Sequence, residues 1–235
     1  MVPSDSDSAS TPLSSTYAND QRLTLAHYDG LVDEAAREQT ETLDRALYHQ
    51  LIQLLPGGDA NLEPTLLDAG CGTGEWLEAF TRLGLQAEGV DGSPHSVAEA
   101  EKKGLNVQHR DLRMLNLRRE SFDAIWCTRT LPHFSIEDMQ RILASFFQAL
   151  KPRAGILVCD FHEGEGIRYE DRTLVTKYHG PQAGTDLPPR IWWGSREEAF
   201  LAMARQTGLQ PTHRAEKPRD SASGLQSILY FMKRA

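Results

Sequence analysis

A chain of 235 residues, 40% hydrophobic and 25% charged, suits one α/β domain with extensions, because single cores serve chains of roughly 100 to 250 residues. No apolar run approaches the ~18 residues that a membrane helix needs, so no transmembrane segment is expected. The net charge of -8 disfavours a nucleic-acid partner, whose phosphates are usually met by clustered Lys and Arg.

The first stretch, MVPSDSDSASTPLSST, has neither the basic start nor the apolar centre of a secretory signal. Its serines and acids read as a solvated tail over residues 1–16, and a cytoplasmic address is expected. Residues 17–235 are taken as a single domain, beginning with a helical cap over about 17–58. Within it, Leu43, Ala46, Leu47, Leu51 and Leu54 recur at helical spacing before PGGD ends the pattern. Short apolar runs then alternate with helical patterns: TLLDAG and EWLEAFTRLG, LQAEGVD and PHSVAEAEKKG, LNVQHRD, FDAIWCT and SIEDMQRILASFFQALKP, AGILVCDF. This rhythm predicts a doubly wound, mostly parallel sheet with helices on both faces. Ser135 with Asp138, and Ser195 with Glu198, match the capping box, so a helix is expected after each. LQPTHRAE and LQSILYFMKR, parted by KPRDSASG, read as two closing strands, the last antiparallel. Cys71, Cys127 and Cys159 are far apart and embedded in apolar runs, which points to buried thiols rather than disulfides or metal ligands, and no metal is expected.

The segment LLDAGCGTGEW carries the clearest chemistry. Gly70, Gly72 and Gly74 follow the first strand and open a helix, where a ligand can approach the backbone without meeting a Cβ and where helix amides are unpaired. The dinucleotide fingerprint is G-x-G-x-x-G. Here the third glycine comes one position early, and Glu75 stands where that fingerprint needs glycine. A carboxylate beside a pyrophosphate is unfavourable, whereas a phosphate-free nucleoside cofactor tolerates it.

Over about residues 62–161, the pieces LLDAGCGTG, GVDGSP, HRDL, FDAIWC and ALKPRAGILVCD resemble, in order, a class I S-adenosylmethionine-dependent methyltransferase. That resemblance implies a Rossmann-like fold with a seven-stranded sheet, and S-adenosyl-L-methionine as cofactor. It implies that Asp68 orients the glycine loop and meets the cofactor amine, that Gly70, Cys71, Gly72 and Gly74 pass beneath methionine and ribose, and that Asp91, with Gly92, receives the ribose hydroxyls. Asp111 with Leu112 would read the adenine, and Thr128 would complete the cofactor site. Asp123, before AIWC, is read as a structural anchor. Arg129 and His133, just past the fourth strand, would face the acceptor.

Methyl transfer asks mainly for alignment, and a base only when the acceptor keeps a proton. His133 and His162 are the base candidates, because each follows or ends a sheet strand and imidazole titrates near neutrality. The stretch from about 161 to 194 is longer than the family resemblance requires and reads as an insertion. Trp192 and Trp193 within it, and Tyr28 ahead of the core, are candidates for holding a planar or apolar acceptor; the alternative is that such aromatics pin the insertion to the core. The function expected is methyl transfer to a small molecule. An RNA or protein methyltransferase, or a non-catalytic cofactor-binding protein, is the alternative. Oligomeric state is not readable from these features.

Overall fold

The computed structural model describes residues 41–55, 63–164, 166–169, 191–216 and 226–234. The expected tail, Tyr28 and most of the 161–194 insertion lie outside the described residues. Strands β1 (Thr65–Ala69), β2 (Gln86–Asp91), β3 (Val107–His109), β4 (Ala124–Cys127) and β5 (Ile156–Glu163) run parallel in the order β3-β2-β1-β4-β5. The chain leaves β1 toward β2 and β3, then returns to lay β4 on the other side. That reversal opens a crevice at the C-terminal ends of β1 and β4.

The helices are α1 (Glu41–Leu54), α2 (Glu75–Arg82), α3 (Pro94–Lys102), α4 (Ile136–Ala149) and α5 (Glu197–Gln206). Strand alternation divides the apolar residues between two faces. Leu66, Ala124, Trp126, Ile156 and Val158 pack with Leu47, Leu51 and Leu55 at α1 and with Phe80 of α2. Leu67, Ile125, Cys127, Leu157 and Cys159 pack on the other face with Met139, Ile142 and Phe146 of α4 and Phe200 of α5. Both faces being covered, the central strands read as apolar runs and not as alternation. All three thiols are buried and free. Among the described residues no helix is long and apolar enough to cross a membrane.

Three expectations are corrected. The helical stripe is rotated, because Ala46 and Leu54 are exposed while Leu47, Leu51 and Leu55 face the sheet. Ser135 does cap α4, accepting the Asp138 amide at 3.2 Å, but Ser195 does not cap α5. The N-cap position there is Arg196, and the Ser195 hydroxyl donates to the Arg196 carbonyl at 3.1 Å. The sheet also has nine strands among the described residues, not seven. Strands β8 (Leu209–Glu216) and β9 (Gln226–Arg234) form the expected closing pair, with β9 antiparallel to β5. The extra two, β6 (Gly166–Tyr169) and β7 (Ile191–Ser195), are the ends of the insertion paired as a hairpin, with β7 joining β5 at His162 and Glu163.

Asp123 is the anchor it was expected to be. Its Oδ2 accepts from the Thr65 amide and hydroxyl, each at 2.9 Å, and from Lys151 Nζ at 2.7 Å. These bonds tie the starts of β1 and β4 at the end of the sheet opposite the crevice. Burial pushes this carboxyl up, but the Lys151 and Thr65 donors outweigh it and hold it below the ordinary range. The stability it contributes is therefore present above the unfolded carboxyl value and lost as pH falls through the folded one. Asp123→Ala should cost about 2 to 3 kcal/mol at neutral pH, read as a lowered urea midpoint, with the difference from wild type shrinking below pH ~4.

Candidate cofactor-binding site

The glycine loop is fastened to β2 at its start, where the Gly70 and Cys71 amides both donate to the Val90 carbonyl, at 2.8 and 3.1 Å. Gly70, Gly72 and Gly74 all take the left-handed backbone, with φ of 81°, 54° and 84°. Their reasons for lacking a side chain differ. A Cβ on Gly70 would run into Thr130 and one on Gly74 into Leu105, whereas Gly72 has nothing within 4 Å. Of the three, only Gly72 therefore borders open space. Cys71 turns its side chain inward over Gly89 and into the cluster of Leu77, Val97 and Ala100. Burial, then the charges of Asp68 and Asp91, push this thiol far up, so it enters the site through its backbone alone.

Two carboxylates flank the loop. Asp91, at the end of β2, receives the Gly72 amide on Oδ2 and the Ser93 amide on Oδ1, each at 2.8 Å. It thus fixes the loop and the start of α3 together. Asp68, at the end of β1, is 3% exposed, and its Oδ2 has no hydrogen-bond partner among the described residues. Burial, then the charge of Asp91, push the Asp68 carboxyl up to about 8; Arg129 and the Leu77 amide act against them. Two coupled acids and an orphaned buried acceptor fit a ligand carrying positive charge and hydroxyls. They would repel a pyrophosphate. S-adenosylmethionine, with a cationic sulfonium and amine and a ribose diol, fits this donor and acceptor set.

Elsewhere the expected residues are less uniformly assembled. Asp111 caps a single 3-10 turn, accepting the Arg113 amide at 2.9 Å, and its carboxylate is gripped by the Arg113 guanidinium. Burial raises this carboxyl, but the Arg113 contacts outweigh it and hold it low. Leu112 is 4% exposed within the core around Val90 and Leu67. Gly92 is placed beside β3 by a 3.0 Å bond between its carbonyl and His109 Nε2. Thr128 is buried where β4 ends, and Arg129 follows in the left-handed region with φ 61°. His133 is buried in a 3-10 turn and His162 is buried on β5. Trp193 packs against the core, favouring the pinning role, while the side chain of Trp192 lies outside what is described.

Three contributors were not anticipated. Thr130 fills the space beside Gly70, Lys103 donates to the Thr73 carbonyl of the loop at 2.7 Å, and Asp160 accepts the Arg129 amide at 2.7 Å. Of these, only Asp160 left a trace in the sequence, as a lone acid inside the apolar run GILVCDF.

Comparison with known proteins places this arrangement. Residues 66–153 match the methyltransferase domain family, a span that runs from β1 to the turn before β5 and contains the loop, both acids and the post-β4 turn. The matched segment is similar to the methyltransferase domain of S-adenosylmethionine-dependent enzymes. A ubiquinone biosynthesis O-methyltransferase of Rhodopseudomonas palustris (strain TIE-1) is 34% identical over 98 residues, covering 40% of this chain and 38% of the relative. Another, from strain BisA53, is 33% identical over 165 residues, covering 65% and 64%. The match thus spans less than two thirds of either relative. Among solved structures, the Burkholderia thailandensis 1,6-didemethyltoxoflavin-N1-methyltransferase, with bound 1,6-didemethyltoxoflavin and S-adenosylhomocysteine, superposes with a TM-score of 0.64 at 19% identity, over 99% of this chain and 94% of that one. At that identity the likeness speaks for the methyltransferase fold.

The burial of Asp68 has a measurable consequence for stability. Its folded value near 8 lies above the ~3.9 of an unfolded chain, so the folded state holds the extra proton between them. The stability of the ligand-free protein then falls as pH rises through that interval, with no penalty below it and the full penalty above. Asp68→Asn keeps the size and removes the charge. Thermal melts should show the variant matching wild type near pH 4 and exceeding it at pH 8 by at least about 4 °C, given roughly 2 to 4 °C per kcal/mol in a domain of this size. Equal melting temperatures at pH 8 would contradict the burial argument.

Proposed function

We propose that this chain transfers the methyl group of S-adenosylmethionine to a small-molecule acceptor. The observation that carries the reading is the buried Asp68 close to Asp91, whose Oδ2 holds the amide of Gly72, the glycine of the loop that borders open space. When bound, the cofactor supplies an electrophilic methyl group. The chain's own residues hold and orient. Asp91 receives the ribose diol while keeping the Gly72 amide, so ribose recognition and loop geometry depend on one carboxylate. Asp68 offers Oδ2 to the amine, directly or through water, and ionises as that positive charge arrives.

Thr128 and Arg129 follow the strand end nearest this crevice and are the residues proposed to bound the transferred methyl. His133 and His162 are proposed on the acceptor side, where either can take the proton that an oxygen or nitrogen nucleophile loses. A base is dispensable if the acceptor arrives deprotonated, because in-line alignment supplies most of the acceleration. A small acceptor is supported by the net charge of -8, which disfavours polynucleotides. The ubiquinone and toxoflavin enzymes named above act on small cyclic molecules by their names, which supports the same class without specifying the acceptor.

The reading is tested by calorimetry with S-adenosylhomocysteine and with NAD, followed by mass spectrometry for +CH₂ products from a metabolite extract. The demethylated cofactor should bind and NAD should not bind comparably. Asp91→Ala should weaken that binding by roughly ten- to a hundred-fold, since it removes charged acceptors worth about 1.5 to 3 kcal/mol. Tighter binding of NAD, or unchanged affinity in the variant, would contradict the assignment.

A further inference from the structure

Asp160 is completely buried in the middle of β5, in an otherwise apolar stretch, and the chemistry above gives it no task. Its place in the sheet is specific. Along one edge of β5, β4 covers Ile156 to Cys159 and β7 covers His162 and Glu163, while β9 runs the whole length of the other edge. Asp160 and Phe161 thus stand at a gap, at the point where the chain peels away from β4 toward the crevice. There the Asp160 carboxylate takes the place of a strand partner, with Oδ1 accepting the Arg129 amide at 2.7 Å.

Arg129 is the residue whose backbone needs holding. Its φ of 61° is left-handed, a conformation a non-glycine residue keeps only when its surroundings impose it. The reversal it creates turns Thr130 back into the space that Gly70 leaves, with the Thr130 hydroxyl donating to the Thr128 carbonyl at 3.1 Å. The 3-10 turn Leu131–His133 follows directly and packs against β5 and β7. It also brings the Arg129 charge close enough to oppose the upward shift of Asp68.

We propose that Asp160 is a positioning residue of the methyl-transfer site: its carboxylate locks the Thr128–Thr130 turn in its left-handed form against the glycine loop and so sets the crevice wall. Its effect on binding rests on the methyltransferase reading; its hold on the turn does not. Two readouts keep these apart, amide hydrogen exchange of residues 128–133 in ligand-free protein and calorimetric affinity for S-adenosylhomocysteine.

Asp160→Asn retains an acceptor for the Arg129 amide and should stay within about three-fold of wild type in both readouts. Asp160→Ala should speed exchange in 128–133 by at least about ten-fold, leave β1 and β4 protected, and weaken cofactor binding by about ten-fold. Adding Arg129→Gly to Asp160→Ala should slow exchange in 128–133 back toward wild type, because glycine adopts a positive φ unaided. If Asp160→Ala does not fold, Asp160→Val, which fills the gap with a strand-compatible side chain, is expected to show the same selective loss. Wild-type exchange in 128–133 for the folded Ala or Val variant overturns the proposal. So does a loss of protection spread evenly over the sheet, or a double variant no better than Asp160→Ala. If wild type itself binds no S-adenosylhomocysteine, the methyltransferase reading falls, and the exchange data still decide whether Asp160 holds the turn.

Discussion

The hydrogen bond from the Gly72 amide to Asp91 Oδ2, 2.8 Å long, organises the rest of the site. It joins the end of β2 to a loop that leaves β1, and it is possible only because the loop runs through three left-handed glycines. Once made, it sets the open face of Gly72 beside a carboxylate and leaves Asp68 buried behind it. Charge complementarity follows from that geometry. A loop leading into the start of a helix, a geometry that otherwise suits phosphate, here lies beside two acids.

The sheet makes this arrangement rigid. Its two faces are filled by separate clusters, one with α1 and α2 and the other with α4 and α5, and Asp123 fastens the opposite end through Thr65 and Lys151. On the α1 face an aromatic group of Tyr48, Trp76, Phe80 and Trp126 joins α1 to α2 and β4, with ring centroids 5.2 to 5.6 Å apart. Strand ends held this firmly let the loops between them carry strain, as Arg129 does. The same division explains the cysteines. Cys127 and Cys159 lie opposite one another on β4 and β5 inside the core, where burial keeps both thiols protonated and chemically quiet.

Much of this was legible in the sequence, and the failures have physical causes. Parallel strands buried on both faces appear as apolar runs, so TLLDA, AIWC and ILVC could be placed. The Ser135 cap was readable because its chemistry is local, and Ser195 failed because its hydroxyl found the Arg196 carbonyl instead. The hairpin β6–β7 was missed because its strands are separated by a long insertion, and nothing local announces such a pairing. In the site, Asp68 and Asp91 were visible as acids ending apolar strands. The distinct duties of Gly70, Gly72 and Gly74 were not, since Thr130 and Leu105 reach them from 60 and 31 residues away. The grip of Arg113 on the Asp111 carboxylate was also not read from HRDL, because it depends on the local turn.

The account's central claim is that an adenosyl cofactor lies over Gly72 between Asp68 and Asp91. A crystal structure of the chain with S-adenosylhomocysteine tests it most directly. The ribose hydroxyls should lie within about 3 Å of the Asp91 carboxylate, with the Gly72 amide still bound to the same group. The ligand's amine should meet Asp68 Oδ2 directly or through one water. Ligand density away from Gly72, or a ribose that leaves Asp91 untouched, would contradict it.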